Sequence, residues 1–147
     1  MSQLYPVFEV PSFVRDDVEQ KADYRPSAFF DFNTGDFEVD SNGRIREATE
    51  TEAWEQWCLK AVYTQRDAFL SYPNDYGIET DKAFQEPTHL QQQAFFQRTI
   101  TNAILADPYH RTMYVKNFTF HRTEDGVVIR FEIVAWDGRV SALNATL

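Results

Sequence analysis

The sequence predicts an α+β domain in which two helices pack on an antiparallel sheet with a C-terminal three-stranded meander, preceded by an extended N-terminal arm. Three observations lead to this fold class. Two stretches have apolar residues at helical spacing behind a capping signature, the last third alternates with the period of a strand, and turn residues separate the segments. Segregated helices and strands, rather than alternating ones, are typical of α+β domains.

The arm is predicted over residues 1–27 and the folded domain over residues 28–147. Pro6, Pro11 and Pro26 interrupt regular structure in the arm, yet apolar residues are frequent between them. A solvated linker is usually poor in apolar residues. We therefore expect the arm to lie against its own domain or against a partner chain. Its expected aromatic anchors are Tyr5, Phe8 and Phe13.

The first half of the domain is predicted to contain two short strands, at 28–32 and 37–39, followed by a helix. Thr49 and Glu52 have the spacing of a capping box, and the helix is expected to run to about Arg66. The residues of its apolar face recur at helical spacing and should face the core. They are Trp54, Trp57, Cys58, Ala61 and Val62. We interpret the cysteine as a buried apolar thiol rather than a nucleophile.

The second predicted helix opens at Thr88, with Gln91 three residues later, and runs to about Ala106. Asp107 precedes Pro108 and therefore resists the helical conformation, which ends the helix. Residues 67–87, between the two helices, are predicted to be a loop with a strong break. The apolar stripe of the second helix consists of Phe96, Ile100, Ala103 and Ile104.

The meander is predicted from alternation in the last third of the chain. A strand at 112–122 turns at 124–126 into a strand with every second residue apolar from Val127 to Ala135. Asp137-Gly138 predicts a two-residue type I′ turn, because both positions accept a positive φ. A last strand at about 139–145 is expected to pair back on its predecessor.

Composition excludes several classes of function. The net charge is −9 and there is no basic cluster, which argues against binding nucleic acid or an anionic membrane. One cysteine allows no internal disulfide, and the three histidines lack the spacing of a zinc site. We therefore expect no cofactor and no metal. Neither a secretory signal nor an apolar run of spanning length is found, so the protein is expected to be soluble and intracellular as made.

A hydrolase would require paired carboxylates across a cleft. Glu79 with Asp81, or Glu86 with Asp107, are candidate pairs. Such pairs are expected by chance among 23 acidic residues. No nucleophile elbow, phosphate loop or zinc-protease motif is present. We therefore expect no catalytic residues.

Three short motifs occur in a fixed order: Thr64-Gln65-Arg66 with Phe69-Leu70, then residues 75–78, then residues 103–111. In this order the chain resembles, over roughly residues 28–136, the lysozyme-like baseplate wedge family of contractile tails, also called the sheath initiator. It is most similar to the branch in PBSX-like prophages, long catalogued as a domain of unknown function. The family has Glu-Pro-Arg after its second helix. Here Asp107-Pro108 is followed by Tyr109, and Arg111 is the candidate replacement for the arginine.

The resemblance implies a structural, non-enzymatic role in the virion baseplate, assembled in the host bacterial cytoplasm. Family members form a six-fold ring around the tail tube, clasp wedge proteins and offer a strand to the first sheath ring; hub or tube proteins are further candidate contacts. Alternatives are an adaptor elsewhere in a phage particle, such as a head–tail connector, and a peptidoglycan hydrolase. The wedge contacts that the resemblance implies are Arg66, Tyr76, Gly77, Asp107, Pro108 and Arg111. Local explanations stay open for all of these except Arg111: a turn at Tyr76-Gly77, a helix stop at Asp107-Pro108 and a helix-end cation at Arg66.

The closing segment, residues 141–147, contains neither a charged side chain nor a proline. As the last strand of a meander it would lack the usual devices that block edge pairing. We expect it to accept a strand of the sheath protein by β-augmentation, although a frayed terminus is the alternative. A proline at position 142 or 143 should then disturb the edge with little effect on the core. The expected edge residues are Val140, Ala142, Leu143 and Asn144.

Overall fold

The computed structural model describes residues 27–147, so the predicted arm falls almost entirely outside the described residues. The described part confirms the α+β fold and the C-terminal meander. Its elements, in chain order, are β1 (Ser27–Ala28), β2 (Phe30–Asp31), β3 (Asp36–Phe37), β4 (Glu47–Ala48), α1 (Glu50–Tyr63), α2 (Thr80–Gln85), α3 (His89–Leu105), β5 (Thr112–Arg122), β6 (Val127–Ala135) and β7 (Val140–Thr146).

The predicted strand at 28–32 is divided between two small sheets. β1 pairs antiparallel with β4, and β2 pairs antiparallel with β3. The hairpin turn between β2 and β3 is held by the Asp31 carboxylate, which accepts a hydrogen bond of 2.8 Å from the backbone N–H of Asn33. β4 was not predicted, because a two-residue strand has no periodicity to detect.

Helix α1 begins at the predicted capping box. The Thr49 hydroxyl accepts from the N–H of Glu52, and the Glu52 carboxylate accepts from the N–H of Thr49. The helix ends at Tyr63 rather than at the predicted Arg66. Thr64 is already extended there because its carbonyl accepts a 2.9 Å hydrogen bond from the N–H of Ile78, which begins a short parallel bridge.

The region predicted as one loop between the helices contains a further short helix, α2. Its six residues are too few to show an apolar period, which is why the sequence pattern did not reveal it. α3 follows the prediction closely, with the Thr88 hydroxyl accepting from the N–H of Gln91 at 3.2 Å. Across residues 27–147, no helix combines the length and apolarity needed to cross a membrane.

The core lies between the helices and one face of the meander. The predicted stripe of α3 is fully buried, and Trp54, Cys58, Ala61 and Val62 of α1 are buried with it. The alternating apolar residues of β6, from Val127 to Ala135, face the same core. Both predicted apolar faces are therefore confirmed, with Trp57 partly buried at the margin.

The meander has the strand order β5-β6-β7. The prediction of a type I′ turn between β6 and β7 was wrong. Ala135 and Arg139 close a three-residue loop, in which the Gly138 N–H donates to the Ala135 carbonyl and only Gly138 has a positive φ, of 89°. A type I turn followed by one left-handed residue gives this geometry, so Asp137 need not adopt the unfavourable conformation.

Candidate partner-docking site

The outer edge of β7 presents backbone groups that no strand of the described chain pairs with. Val127 and Leu147 exchange both of their backbone hydrogen bonds, each 2.9 Å long. Since such pairs alternate with non-bonded pairs along an antiparallel ladder, the odd-numbered residues of β7 bond to β6. The N–H and C=O groups of Val140, Ala142 and Asn144 therefore point away from β6, and within residues 27–147 they have no partner.

Leu143, which we expected at the edge, belongs to the core instead. It lies opposite Phe131 in the ladder, so its backbone groups bond to β6, and its side chain is buried. A proline at this position would break the β6–β7 ladder, contrary to the expectation that it would spare the core. Ala142, whose N–H points outward, is the position where a proline removes an edge donor alone.

One end of this edge is already closed by a side chain. The Thr146 N–H, which also points outward, donates a 3.2 Å hydrogen bond to the hydroxyl of Tyr63 on α1. A cleft of about 280 Å³ opens beside the rest of the edge, bounded by Ala142–Asn144, by α1 and by residues 29–33. The pairing of β7 along its whole length, up to Leu147, excludes the frayed terminus as a description of this strand.

The opposite edge of the meander is irregular. Between Lys116 and Thr119 the pairing of β5 with β6 shifts, so that two residues of β5 oppose one of β6. Asn117 at this bulge has a positive φ of 56°, and its side chain donates a 2.6 Å hydrogen bond to Glu132. A second shift occurs between Thr112 and Tyr114. Bulges of this kind interrupt the regular edge that an incoming strand requires.

Among the residues expected to contact the wedge, Asp107 and Arg111 form a buried ion pair. Arg111 Nε lies 2.7 Å from Asp107 Oδ2, and the two side chains are 4% and 1% exposed. The same carboxylate accepts from the backbone N–H groups of Tyr109 and Arg111. The pair therefore fixes the turn between α3 and β5, and neither charged group faces solvent.

Arg66 and Gly77 meet in a second local structure. The Arg66 guanidinium donates to the Gly77 carbonyl at 3.1 Å, which joins the end of the α1 region to the segment before α2. Gly77 has a φ of 90°, and a Cβ there would lie 2.6 Å from the carbonyl oxygen of Thr64. The close approach of the two backbones therefore requires glycine at this position.

Tyr76, Pro108 and Asp107 line a common open cavity of about 590 Å³, with Trp57 and Tyr72 on its wall. The Tyr76 ring lies 5.7 Å from the Trp57 ring and 4.5 Å from the Tyr72 ring. Burial raises the pKa of Tyr76 to about 12. The structure thus brings Tyr76 and Pro108 to one aromatic surface, with the buried Asp107 at its wall and the Arg66–Gly77 contact in the adjoining loop.

A family model for contractile injection system sheath initiators matches residues 27–138. This match covers most of the chain. The chain belongs to the sheath initiator family. No curated protein matches it. The resemblance to sheath initiators that the sequence motifs indicated is therefore confirmed, while membership of the PBSX-like branch stays a prediction.

Membership makes the protein a structural component of a contractile injection system, located in its tail and baseplate region. The matched segment includes the Asp107-Pro108 turn and the whole β5–β6 hairpin but ends at Gly138, before β7. β7 lies outside the matched segment, so only the geometry of the strand marks it as a candidate docking edge.

The thiol of Cys58 lies in the core of this sheath initiator domain. Cys58 is fully buried, its Sγ lies 4.0 Å from the Thr112 hydroxyl, and burial raises its thiol pKa to about 12. A thiol that stays protonated is a poor nucleophile. This agrees with the interpretation of Cys58 as an apolar core residue.

The sequence patterns did not identify two residues of the candidate site. Tyr63 was regarded only as part of a helix, and Lys60 was not considered, although it lines the aromatic cavity and lies over the Tyr72 ring at 5.3 Å. Lys60 lies one turn after Trp57, at the margin of the apolar stripe of α1, whereas Tyr63 is exposed on the opposite side of the helix. An amphipathic residue at the margin could have indicated Lys60, but no pattern along α1 indicated Tyr63.

Proposed function

We propose that this protein joins baseplate wedge proteins to the first ring of the tail sheath. In this proposal it occupies a six-fold ring around the tail tube, formed as the particle assembles in the host cytoplasm. The observation that supports it is the outer edge of β7, which is regular, uncharged and unpaired within residues 27–147. A strand of the sheath protein that pairs there would extend the meander to four strands.

The energetics of such docking are favourable but modest per copy. Val140, Ala142 and Asn144 each offer one donor and one acceptor, and each hydrogen bond contributes about 0.5–1.5 kcal/mol net. The inward side chains of the incoming strand would enter the cleft beside the edge, between α1 and residues 29–33. Repetition around a ring would then strengthen attachment through multivalency.

The wedge proteins are proposed to bind the aromatic cavity lined by Tyr76 and Pro108. Since Asp107 and Arg111 are buried against each other, we propose that they position this surface rather than form salt bridges with the partner. Arg66 and Gly77 are proposed to act in the same way on the neighbouring loop. The protein is proposed to have no lytic activity, because its family is structural.

The experiment that tests the sheath connection is the substitution Ala142→Pro, introduced into the gene cluster of the particle. The outward N–H is lost while the β6–β7 ladder is kept, so the purified variant should unfold at nearly the same denaturant concentration as the wild type. Baseplates should assemble, but electron microscopy should show tubes without sheath.

Two further variants are the controls. Ala142→Val keeps the donor and should assemble normal sheaths. Leu143→Pro should unfold the domain more easily, because it breaks a hydrogen bond within the sheet. Normal sheaths on Ala142→Pro baseplates would contradict the proposed docking edge.

A further inference from the structure

An apolar groove of about 540 Å³ lies between the β2–β3 hairpin and α1. Its walls are aromatic, formed by Phe30, Phe32 and Phe37 from the hairpin side and by Trp57 from the helix. Phe37 is 45% exposed although it is a large apolar residue. Exposed apolar surface of this kind, rimmed by polar groups, usually marks a site where another segment binds.

The groove is held in shape by interactions within the described chain. The Gln56 side chain accepts from the N–H of Phe30 and donates to the hydroxyl of Ser27 and the carbonyl of Ala28. The Phe30 ring lies 5.1 Å from the ring of Phe32 and 5.3 Å from that of Phe37. A binding segment would therefore meet a preformed surface and would not have to order it.

Residues 4–14 of the same chain match this groove in chemistry. Seven of these eleven residues are apolar, two more are prolines, and Glu9 is the only charged one. Among the described residues that line the groove, Lys60 is likewise the only charged one. An apolar segment with a single acid is thus chemically complementary to an apolar groove with a single base at its rim.

The connection to the groove is short. The described chain begins at Ser27, which lines the groove itself, and Val14 precedes it by thirteen residues. Such a tether reaches up to about 40 Å, so it spans the groove easily and keeps the segment at an effective concentration in the millimolar range. We propose that residues 4–14 bind in the aromatic groove of their own domain in the free protein. This proposal does not depend on how the sheath docks.

The test replaces Phe8 with the photo-crosslinker benzoylphenylalanine in the full chain, and maps the products by mass spectrometry in a mixture of isotope-labelled and unlabelled protein. We expect cross-links to residues 30–37 or 57–60 within one chain, with a yield unaffected by tenfold dilution. Phe37→Ser should lower that yield about tenfold through lost apolar contact. Leu90→Ser, at an exposed leucine outside the groove, should leave it unchanged.

The charge match gives a second readout. Glu9→Lys should lower the yield about threefold, the effect of losing one exposed ion pair and adding repulsion. Glu19→Lys, outside the segment, should have no effect. Cross-links between labelled and unlabelled chains would show that a second copy is the occupant and would overturn the proposal. Cross-links to any other surface, or none at all, would overturn it as well.

Discussion

The two outer strands of the meander, β5 and β7, pair with the same central strand but leave different edges. β5 is interrupted by two register shifts and has a left-handed residue at one of them, whereas β7 pairs without interruption from Val140 to Thr146. β5 also has Lys116, His121 and Arg122 along its length, while β7 has no charged residue. One edge thus has the features that prevent strand addition, and the other has none of them.

The strands also begin differently. β5 starts directly after the buried Asp107–Arg111 pair, and Thr112, its first residue, accepts a 2.8 Å hydrogen bond from the indole N–H of Trp54. β7 starts after the exposed Asp137–Arg139 pair of a short loop. The start of β5 is therefore anchored in the core beside the aromatic cavity, while the outer edge of β7 is left unpaired at the periphery of the described domain.

The largest expected effect is a difference in stability between variants of the two Asp–Arg pairs. Asp107→Ala would leave the Arg111 guanidinium buried without its carboxylate, which should lower the free energy of unfolding by about 3–5 kcal/mol. Asp137→Ala removes one member of an exposed pair and its hydrogen bond to the backbone N–H of Arg139, so it should lower the unfolding midpoint far less. Urea unfolding followed by tryptophan fluorescence measures both. Equal losses from the two variants would show that β5 is not specially anchored.

The next effect is a pH dependence of the junction between α1 and β5. Burial raises the pKa of Cys58 from 9.0 to about 12. The unfolded thiol ionises above 9.0 while the folded one stays protonated, so the stabilisation is complete below 9.0 and is lost as pH rises towards 12. By pH 10.5 the loss should reach about 2 kcal/mol.

Cys58→Ala supplies the control for this pH effect, because tyrosines and lysines titrate in the same range in both proteins. The stability of the variant should fall less steeply between pH 9 and pH 10.5 than that of the wild type. Ellman's reagent should react with the wild-type thiol only on addition of denaturant. Rapid reaction of the folded protein would contradict the burial of this junction.

The smallest expected effect concerns the bulge of β5. Asn117 has a φ of 56°, a conformation that costs a β-branched residue about 1–2 kcal/mol. Asn117→Val should therefore be destabilised by about that amount, whereas Asn117→Gly should stay close to the wild type. The measurement is again urea unfolding. If valine were tolerated as well as glycine, the bulge would not be a required feature of this edge.

The regular elements of the fold could be predicted from sequence because each has a local pattern. The apolar stripe of α3 repeats over more than two helical turns, from Phe96 to Ile104. The alternation of β6 repeats over nine residues, from Val127 to Ala135. α2 and β4 could not be predicted, since six and two residues are too short for a period to appear. The parallel bridge between Gln65 and Ile78, which ends α1 early, depends on a contact between residues distant in sequence.

The candidate site was predictable in its location but not in its geometry. The lack of charge and proline in residues 141–147 indicated an unblocked edge strand. Placing Leu143 in the core, however, required knowing which residues of β7 are hydrogen-bonded to β6. The loop at Asp137-Gly138 determines this alternation, and the sequence pattern predicted the wrong turn type there. The closure of the edge by Tyr63 depends on how α1 packs across the sheet, which no local pattern reports.

A cryo-electron microscopy map of the assembled tail tests the central claim most directly. We predict a strand of the sheath protein about 4.8 Å from β7, the spacing of neighbouring strands in a sheet. Its backbone should be hydrogen-bonded to Val140, Ala142 and Asn144, and its inward side chains should enter the cleft beside α1. A map in which the sheath is attached while the outer edge of β7 faces solvent, or in which the added strand pairs with β5, would contradict the account.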